Sequence, residues 1–196
     1  MEQPGTLYLV RHGESGWNRA QLVQGQSAAA PGLTEAGRAQ AAAAAGYLAA
    51  TAATLVLTSD LRRAVETAAP IAARLGVPLR LDRRLRERSF GVAEGRPDSV
   101  LTPAETGITG EAVTDPAARP AGGESVCQLY GRIAGLLAEL LAVPGQRIVL
   151  VTHGGPVRVA RACLAGLPAA GMPWQPVRSG SVLAVPAGSL RCPRRA

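Results

Sequence analysis

Two histidines occur in the whole chain, His12 and His153, and each closes a short apolar run and is followed by glycine. An imidazole can act as a nucleophile, a proton carrier or a metal ligand. In open α/β sheets, reactive groups gather beyond the carboxyl ends of the strands, where adjoining helix N-termini offer backbone N–H groups to anions. One histidine after a strand is ordinarily structural or exposed; two of two, each with a following glycine, carry more weight. Arg11 adjoins His12, and Arg62 and Arg63 fall in the first turn of a predicted helix. Guanidinium groups meet a phosphate monoester with planar, paired hydrogen bonds, so this set of residue types suits phosphate chemistry. Neighbouring helix positions point about 100° apart, and at most one of Arg62 and Arg63 can reach a common site. Two histidines at opposite ends of the chain, without a paired carboxylate motif, make a poor zinc or magnesium site, and no metal and no cofactor is expected.

Such residues need strands and helices to hold them, and the pattern alternates between the two. Residues 6–10, 54–58, 77–81, 147–152 and 181–185 read as strands. Of these, Ile148-Val149-Leu150-Val151 is continuous and apolar, as a strand buried on both faces should be. Helices are predicted over 35–50, with Thr34 as N-cap, and over 60–75, with Ser59 as N-cap. A third covers 124–142, where Val126, Leu129, Tyr130, Ile133, Leu136, Leu137, Leu140 and Leu141 form one stripe. A fourth runs from Gly154 to about residue 165, with Pro156 near its start. From 95 to 122 the pattern dissolves into Pro, Gly, Thr and acidic residues, which reads as a lid-like surface insertion. The alternation predicts an α/β fold, a three-layer α/β/α sandwich around a mainly parallel central sheet.

Composition sets the remaining bounds. At 196 residues the chain fits a single domain over 1–196. Hydrophobic residues make up 47% but aromatic ones only 3%, so Ala, Leu and Val must build the core. No apolar run nears the roughly 18 residues that span a bilayer, and no signal-like segment opens the chain. A cytoplasmic location without membrane association is expected. Cys127, Cys163 and Cys192 are scattered without ligand spacing. The net charge of +7 comes from 21 basic residues, every one an arginine, densest at Arg83–Arg88 and at Arg191–Arg195. Single-strand binding also needs aromatic stacking platforms, and the few aromatics are dispersed, so nucleic acid is not the expected partner. A small phosphorylated metabolite is. Oligomeric state, a dimer included, is left open.

The motifs taken together resemble the histidine phosphatase superfamily, the phosphoglycerate mutase-like proteins. The matching pieces are Leu9-Val10-Arg11-His12-Gly13-Glu14-Ser15 with Trp17-Asn18, Gln24-Gly25 and Leu33-Thr34-Glu35-Ala36-Gly37. They continue through Ser59-Asp60-Leu61-Arg62-Arg63-Ala64-Val65-Glu66-Thr67, Leu85-Arg86-Glu87-Arg88-Ser89-Phe90-Gly91, Glu94-Gly95 and Thr152-His153-Gly154-Gly155. Their order is that of the family. The resemblance implies a phosphoglycerate mutase-like fold, and a metal-independent phosphatase acting on a small phosphate monoester through a phosphohistidine. By the same resemblance His12 is the nucleophile, and Arg11, Arg63 and His153 surround the transferring group. Asn18 and the backbone at Gly154 are further phosphate contacts, and Glu87 is the general acid. Glu14, Ser15, Glu66 and Glu94 are read as orienting residues.

Two departures lie near the expected pocket rim. The segment Gln26-Ser27-Ala28-Ala29-Ala30-Pro31-Gly32 is longer than in many relatives and lacks their acid, and Ala93 replaces an aromatic before Glu94-Gly95. The competing readings are a mutase that returns the phosphoryl group to a second hydroxyl, and a non-catalytic phospho-ligand binding protein. A mutase needs extra cations over the pocket, yet 95–122 holds only Arg96 and Arg119 beside Asp98, Glu105, Glu111 and Asp115. A binding module could dispense with Glu87 or His12.

Overall fold

The computed structural model describes residues 5–186; the basic tail Arg191–Arg195 and Cys192 lie outside the described residues. The elements run β1 (Thr6–Arg11), α1 (Gly16–Arg19), α2 (Glu35–Leu48), β2 (Leu55–Thr58), α3 (Arg62–Leu75) and β3 (Leu79–Leu81). After these come α4 (Pro103–Thr106), β4 (Ile108–Thr109), β5 (Ala112–Val113), α5 (Val126–Leu141), β6 (Arg147–Thr152), α6 (Gly154–Leu164) and β7 (Val182–Pro186). The main sheet has the order β3-β2-β6-β1-β7. Every neighbouring pair is parallel except β1 with β7.

Side chains alternate across a strand, and here the alternation divides the core into two. Leu7 and Leu9 of β1, with Ile148 and Leu150 of β6, pack against Leu129, Ile133 and Leu136 of α5 and Val159 and Cys163 of α6. Val10, Val149 and Val151 face the other way, onto Ala44, Ala45 and Leu48 of α2 and Ala64, Ala68 and Ile71 of α3. The α/β/α layering expected from the sequence follows from this split. The alanines let α2 and α3 lie close to the sheet and to each other without aromatic filler. No helix among the described residues is long and apolar enough to cross a membrane.

Local boundaries follow hydrogen-bond supply. Thr34 caps α2 as predicted, its hydroxyl accepting from Gly37 N at 3.0 Å. Ser59 does not cap α3. Its N–H still donates to Val151 O at 3.1 Å, which carries the extended chain past β2, and the helix starts only at Arg62. Similarly α5 begins at Val126, where Ser125 and Gln128 form a reciprocal capping box, two residues beyond the predicted start. The insertion is not wholly superficial. It holds α4, capped by Thr102 and Glu105, and the β4–β5 hairpin, whose Val113 is buried in the α5/α6 half of the core. Elements of two to four residues leave no periodicity to read.

The loop after β1 is pressed against the start of α2 by two glycines. A Cβ at Gly37 would run into the carbonyl oxygen of Glu14, and one at Gly13 into that of Gly37. Neither contact has a flexible side chain that could yield. Gly37→Ala is therefore expected to destabilise the chain by about 1–3 kcal/mol and to lower activity together with stability, because the displaced loop carries His12. A thermal melt within error of wild type would show that the backbones are not in contact.

Candidate active site

His12 and His153 meet because their strands are adjacent and in register. β1 pairs with β6 so that Arg11 lies opposite Thr152, the last pair before the two histidines. His12 N donates to Thr152 O at 2.9 Å, and the two imidazole centroids stand 5.0 Å apart, edge to face at 60°. Both rings are buried. The loop under His12 is pinned from both helices of that layer. Gly13 N donates to Thr67 Oγ1 at 3.0 Å, Glu14 N to Gln40 Oε1 at 2.8 Å, and Thr34 Oγ1 to Glu14 Oε1 at 2.7 Å.

The hydrogen bonds assign the tautomer of His12. Nδ1 lies 2.7 Å from Gly13 O, which can only accept, so Nδ1 carries the proton. Nε2 is left with a lone pair, and Arg63 Nε donates toward it at 3.3 Å. Arg63 Nη2 donates to Gly25 O at 2.8 Å, fixing the guanidinium in the floor of the site. Arg62 turns outward, its side chain 72% exposed and paired with Glu66 at 2.7 Å. The two arginines thus divide as their helical spacing requires.

Burial lowers the pKa of His12 well below its ordinary value of 6.5, and the charges of Arg63 and Arg11 push it the same way against the Gly13 hydrogen bond. His153 is lowered likewise, by burial first, then by Arg63, His12, Arg132 and Arg11. Both rings are neutral near pH 7. Burial also brings Arg63 down to about 10, still cationic, while Glu87 and Glu94 oppose the shift.

Arg11 Nη1 donates to Val177 O, but among the described residues Arg11 Nε has no hydrogen-bond partner, and neither does Nδ1 or Nε2 of His153; all three atoms are buried. Glu87 sits at the N-terminus of α6. Its carboxylate accepts from Gly155 N at 3.2 Å and from Arg88 N at 2.8 Å. His153 is the N-cap of α6 and makes no side-chain cap bond, so Gly154 opens the helix without a capping side chain. Asn18 is less engaged. Its Oδ1 accepts from Ser15 N and Ser15 Oγ, both at 3.1 Å, within the cap of α1, so any phosphate contact would come from Nδ2.

The orienting acids are placed around this cluster. Glu66 Oε2 accepts from Leu33 N at 2.6 Å. Glu94 Oε1 accepts from Gln26 N and Phe90 N, each at 2.9 Å, joining the loop that carries Gly25 to the segment after Glu87. Among the described residues no three His, Cys, Asp or Glu side chains converge as a metal-ligating group.

One cation at the site is not among those the motifs predict. Arg158 Nη1 lies 3.0 Å, and Arg11 Nε 3.9 Å, from where a Gly154 side chain would begin. Arg158 Nε donates to Gln175 O at 2.6 Å, and its guanidinium lies 5.0 Å from the Trp174 ring centroid. Glu87 and Arg11 both act on it electrostatically. A signal for it exists in the sequence: residue 158 follows Gly154 by four positions and so shares its helix face.

This geometry invites comparison with known proteins. A "Probable phosphoglycerate mutase GpmB" from Yersinia pestis (strain Pestoides F) is 40% identical over 165 residues, which is 83% of this chain and 76% of that protein. The structure of mycobacterial glucosyl-3-phosphoglycerate phosphatase Rv2419c with inorganic phosphate matches with a TM-score of 0.77 at 32% identity, covering 95% of this chain and 93% of that one. Bacillus stearothermophilus YhfR gives a TM-score of 0.79 at 30% identity, covering 92% and 90%. The family model of the histidine phosphatase superfamily (branch 1) matches residues 7–188, and the chain, with its paired histidines at the ends of β1 and β6, belongs to that superfamily.

Proposed function

We propose that this protein hydrolyses a small-molecule phosphate monoester through a phosphohistidine at His12. The observation that carries the reading is the combination of a neutral His12 with its Nε2 lone pair beside Arg63 and three buried polar atoms without partners, Arg11 Nε and both ring nitrogens of His153. Buried polar atoms are ordinarily hydrogen-bonded, and a tetrahedral oxyanion supplies acceptors for the Arg11 Nε–H and for the one ring N–H of a neutral His153.

In the first step His12 Nε2 attacks phosphorus, a P–N bond forms and the P–O bond to the leaving group breaks. Glu87, protonated, gives its proton to the departing oxygen. Charge builds on the equatorial oxygens, where Arg11, Arg63 and His153 act as fixed donors that need no reorganisation. In the second step water attacks the phosphohistidine, Glu87 takes its proton, and inorganic phosphate leaves with His12 restored. Asn18 Nδ2 and the backbone N–H of Gly154 add phosphate contacts, and the 95–122 segment acts as the lid over the substrate.

The relatives named phosphoglycerate mutase favour a second reading, return of the phosphoryl group to another hydroxyl. Assay of phosphate release against phosphoglycerate interconversion separates the two. Release is expected to dominate, and efficient interconversion without release would replace the phosphatase reading.

His12→Ala is expected to abolish phosphoenzyme labelling and to cut turnover by at least about 10³-fold, with wild-type activity unchanged by chelators. Retained turnover in that variant would exclude the covalent route. Glu87→Gln is expected to lower kcat/KM by about 10²–10⁴-fold for alkyl phosphates and far less for p-nitrophenyl phosphate, whose leaving group needs no proton. Equal losses on both would remove Glu87 from the acid role.

The histidines also set a pH expectation. Because their folded-state pKa values are depressed, the unfolded chain binds more protons below pH 6.5 than the folded one. Their contribution to stability is intact above pH 6.5 and is lost as the pH falls from there through the lowered values. Imidazole ¹⁵N signals should show no protonation at pH 6.5, with the urea midpoint dropping below it. A ring that titrates normally near 6.5 would contradict the neutral nucleophile.

A further inference from the structure

The reactive cluster depends on Glu87, yet Glu87 lies on an irregular stretch outside every α-helix and β-strand. What fixes this stretch is a second guanidinium, on the neighbouring helix. Arg132 of α5 has its side chain 18% exposed, and that of Glu124 is 15% exposed. Arg132 Nη1 donates to Arg84 O and to Arg86 O, each at 2.6 Å. Nη2 donates to Glu87 O at 2.9 Å and to Glu124 Oε2 at 2.8 Å, and Nε donates to Glu124 Oε1 at 2.7 Å. An arginine has five N–H donors in a rigid fork, and these five bonds use all of them. Three go to the backbone that carries Glu87 and two to the carboxylate that orients the fork.

The surroundings show why this placement matters at the site. α5 and α6 share one half of the core, so Arg132 is carried on the helix packed against the one whose N-terminus holds the Glu87 carboxylate at Gly155. Thr152 Oγ1, one residue before His153, donates to Leu85 O at 2.6 Å and ties the same stretch to β6. The Arg86 side chain is held by both oxygens of Asp60 at 2.6 Å. Gln26 Nε2 also donates to Glu87 O, at 2.9 Å. Removal of Arg132 therefore leaves the carbonyls of Arg84 and Arg86 without this donor and takes from Glu87 O the partner that it shares with them.

We infer that Arg132, oriented by Glu124, is the positioning residue for the proton-donating Glu87, acting through the backbone at 84–87 without touching the substrate. This rests on the reading of Glu87 as the acid given above. Lysine retains the charge but has only a compact ammonium with three donors, which cannot span four acceptor groups. Arg132→Lys should therefore let Glu87 drift from the leaving oxygen. Since a misplacement of about 1 Å can cost on the order of 10²-fold in a positioned reaction, the effect should be kinetic and selective.

The test measures kcat/KM for an alkyl phosphate and for p-nitrophenyl phosphate in wild type, Arg132→Lys, Glu87→Gln and the double variant. Arg132→Lys is expected to lower the alkyl ester by about 10–10²-fold and the aryl ester by less than about threefold. In the Glu87→Gln background it should add nothing to the selectivity, the non-additivity that marks residues acting as a unit. Glu124→Gln, which keeps the fork but weakens its orientation, should show the same selective pattern in smaller degree and guards against an Arg132→Lys variant that fails to fold. Equal losses on both esters in the Arg132 and Glu124 variants, or additive selectivity in the double variant, would overturn the positioning role while leaving Glu87 as the acid. If Glu87→Gln itself shows no selectivity, the acid reading fails and the inference falls with it.

Discussion

Everything at the site rests on the pairing of β1 with β6. Parallel strands need no turn to bring them together, so segments from the two ends of the chain can lie side by side. The register Arg11 opposite Thr152 leaves His12 and His153 as the next residues of two adjacent strands, at the same height and on the same edge of the sheet. A slip of one residue would turn every side chain on β6 to the opposite face. That slip is opposed by both halves of the core, because Ile148 and Leu150 belong to one and Val149 and Val151 to the other. The hydrophobic layers thus enforce the geometry of the two imidazoles through the strand register.

Around this pair the molecule solves an electrostatic problem. On the proposed mechanism, cations are needed to meet a phosphate, yet the attacking histidine must be uncharged. Burial and like charge act in the same sense on the histidines and keep them neutral, whereas the arginines start from so high a pKa that burial leaves them charged. The desolvation of Arg63 is only partly offset by the fields of Glu87 and Glu94, while its guanidinium keeps a hydrogen bond to the Gly25 carbonyl. Arginine also serves as scaffold. Arg88 is fully buried and donates to the carbonyls of Glu124, Thr106 and Ala118, so that the 95–122 segment is tied to the residue next to Glu87.

The sheet, its major helices and the placement of both histidines were legible because apolar runs and helical stripes of that length suit buried strands and amphipathic helices and little else. That at most one of Arg62 and Arg63 could reach the site was legible from helix geometry, and the family resemblance selected Arg63. The limits have equally physical causes. The start of α3 depends on a bond from Ser59 N to a strand remote in sequence, which no local signal reports. Arg132 flanks the apolar stripe of α5, and nothing within its own helix signals the 84–87 carbonyls that it binds from a segment about 45 residues earlier. Arg158 and Trp174 meet only once the chain after α6 has folded back. Asn18 shows the reverse case, a motif residue with half its amide already committed to a helix cap.

The β1–β6 pairing also has a consequence for how the molecule comes into being. Its partners are 141 positions apart at every pair, from Thr6 with Arg147 to Arg11 with Thr152. Contacts of such separation close late, after the entropy of the intervening loop has been overcome. During synthesis the ribosome must release β6 before the central strand of the sheet can enter, and until then β1 and β2 have no common neighbour. The nascent chain consequently carries His12 and Arg63 without the strand that places His153 beside them. Pairing of the two histidines and entry of the central strand arrive in the same event, which makes turnover a report on whether β6 has joined the sheet.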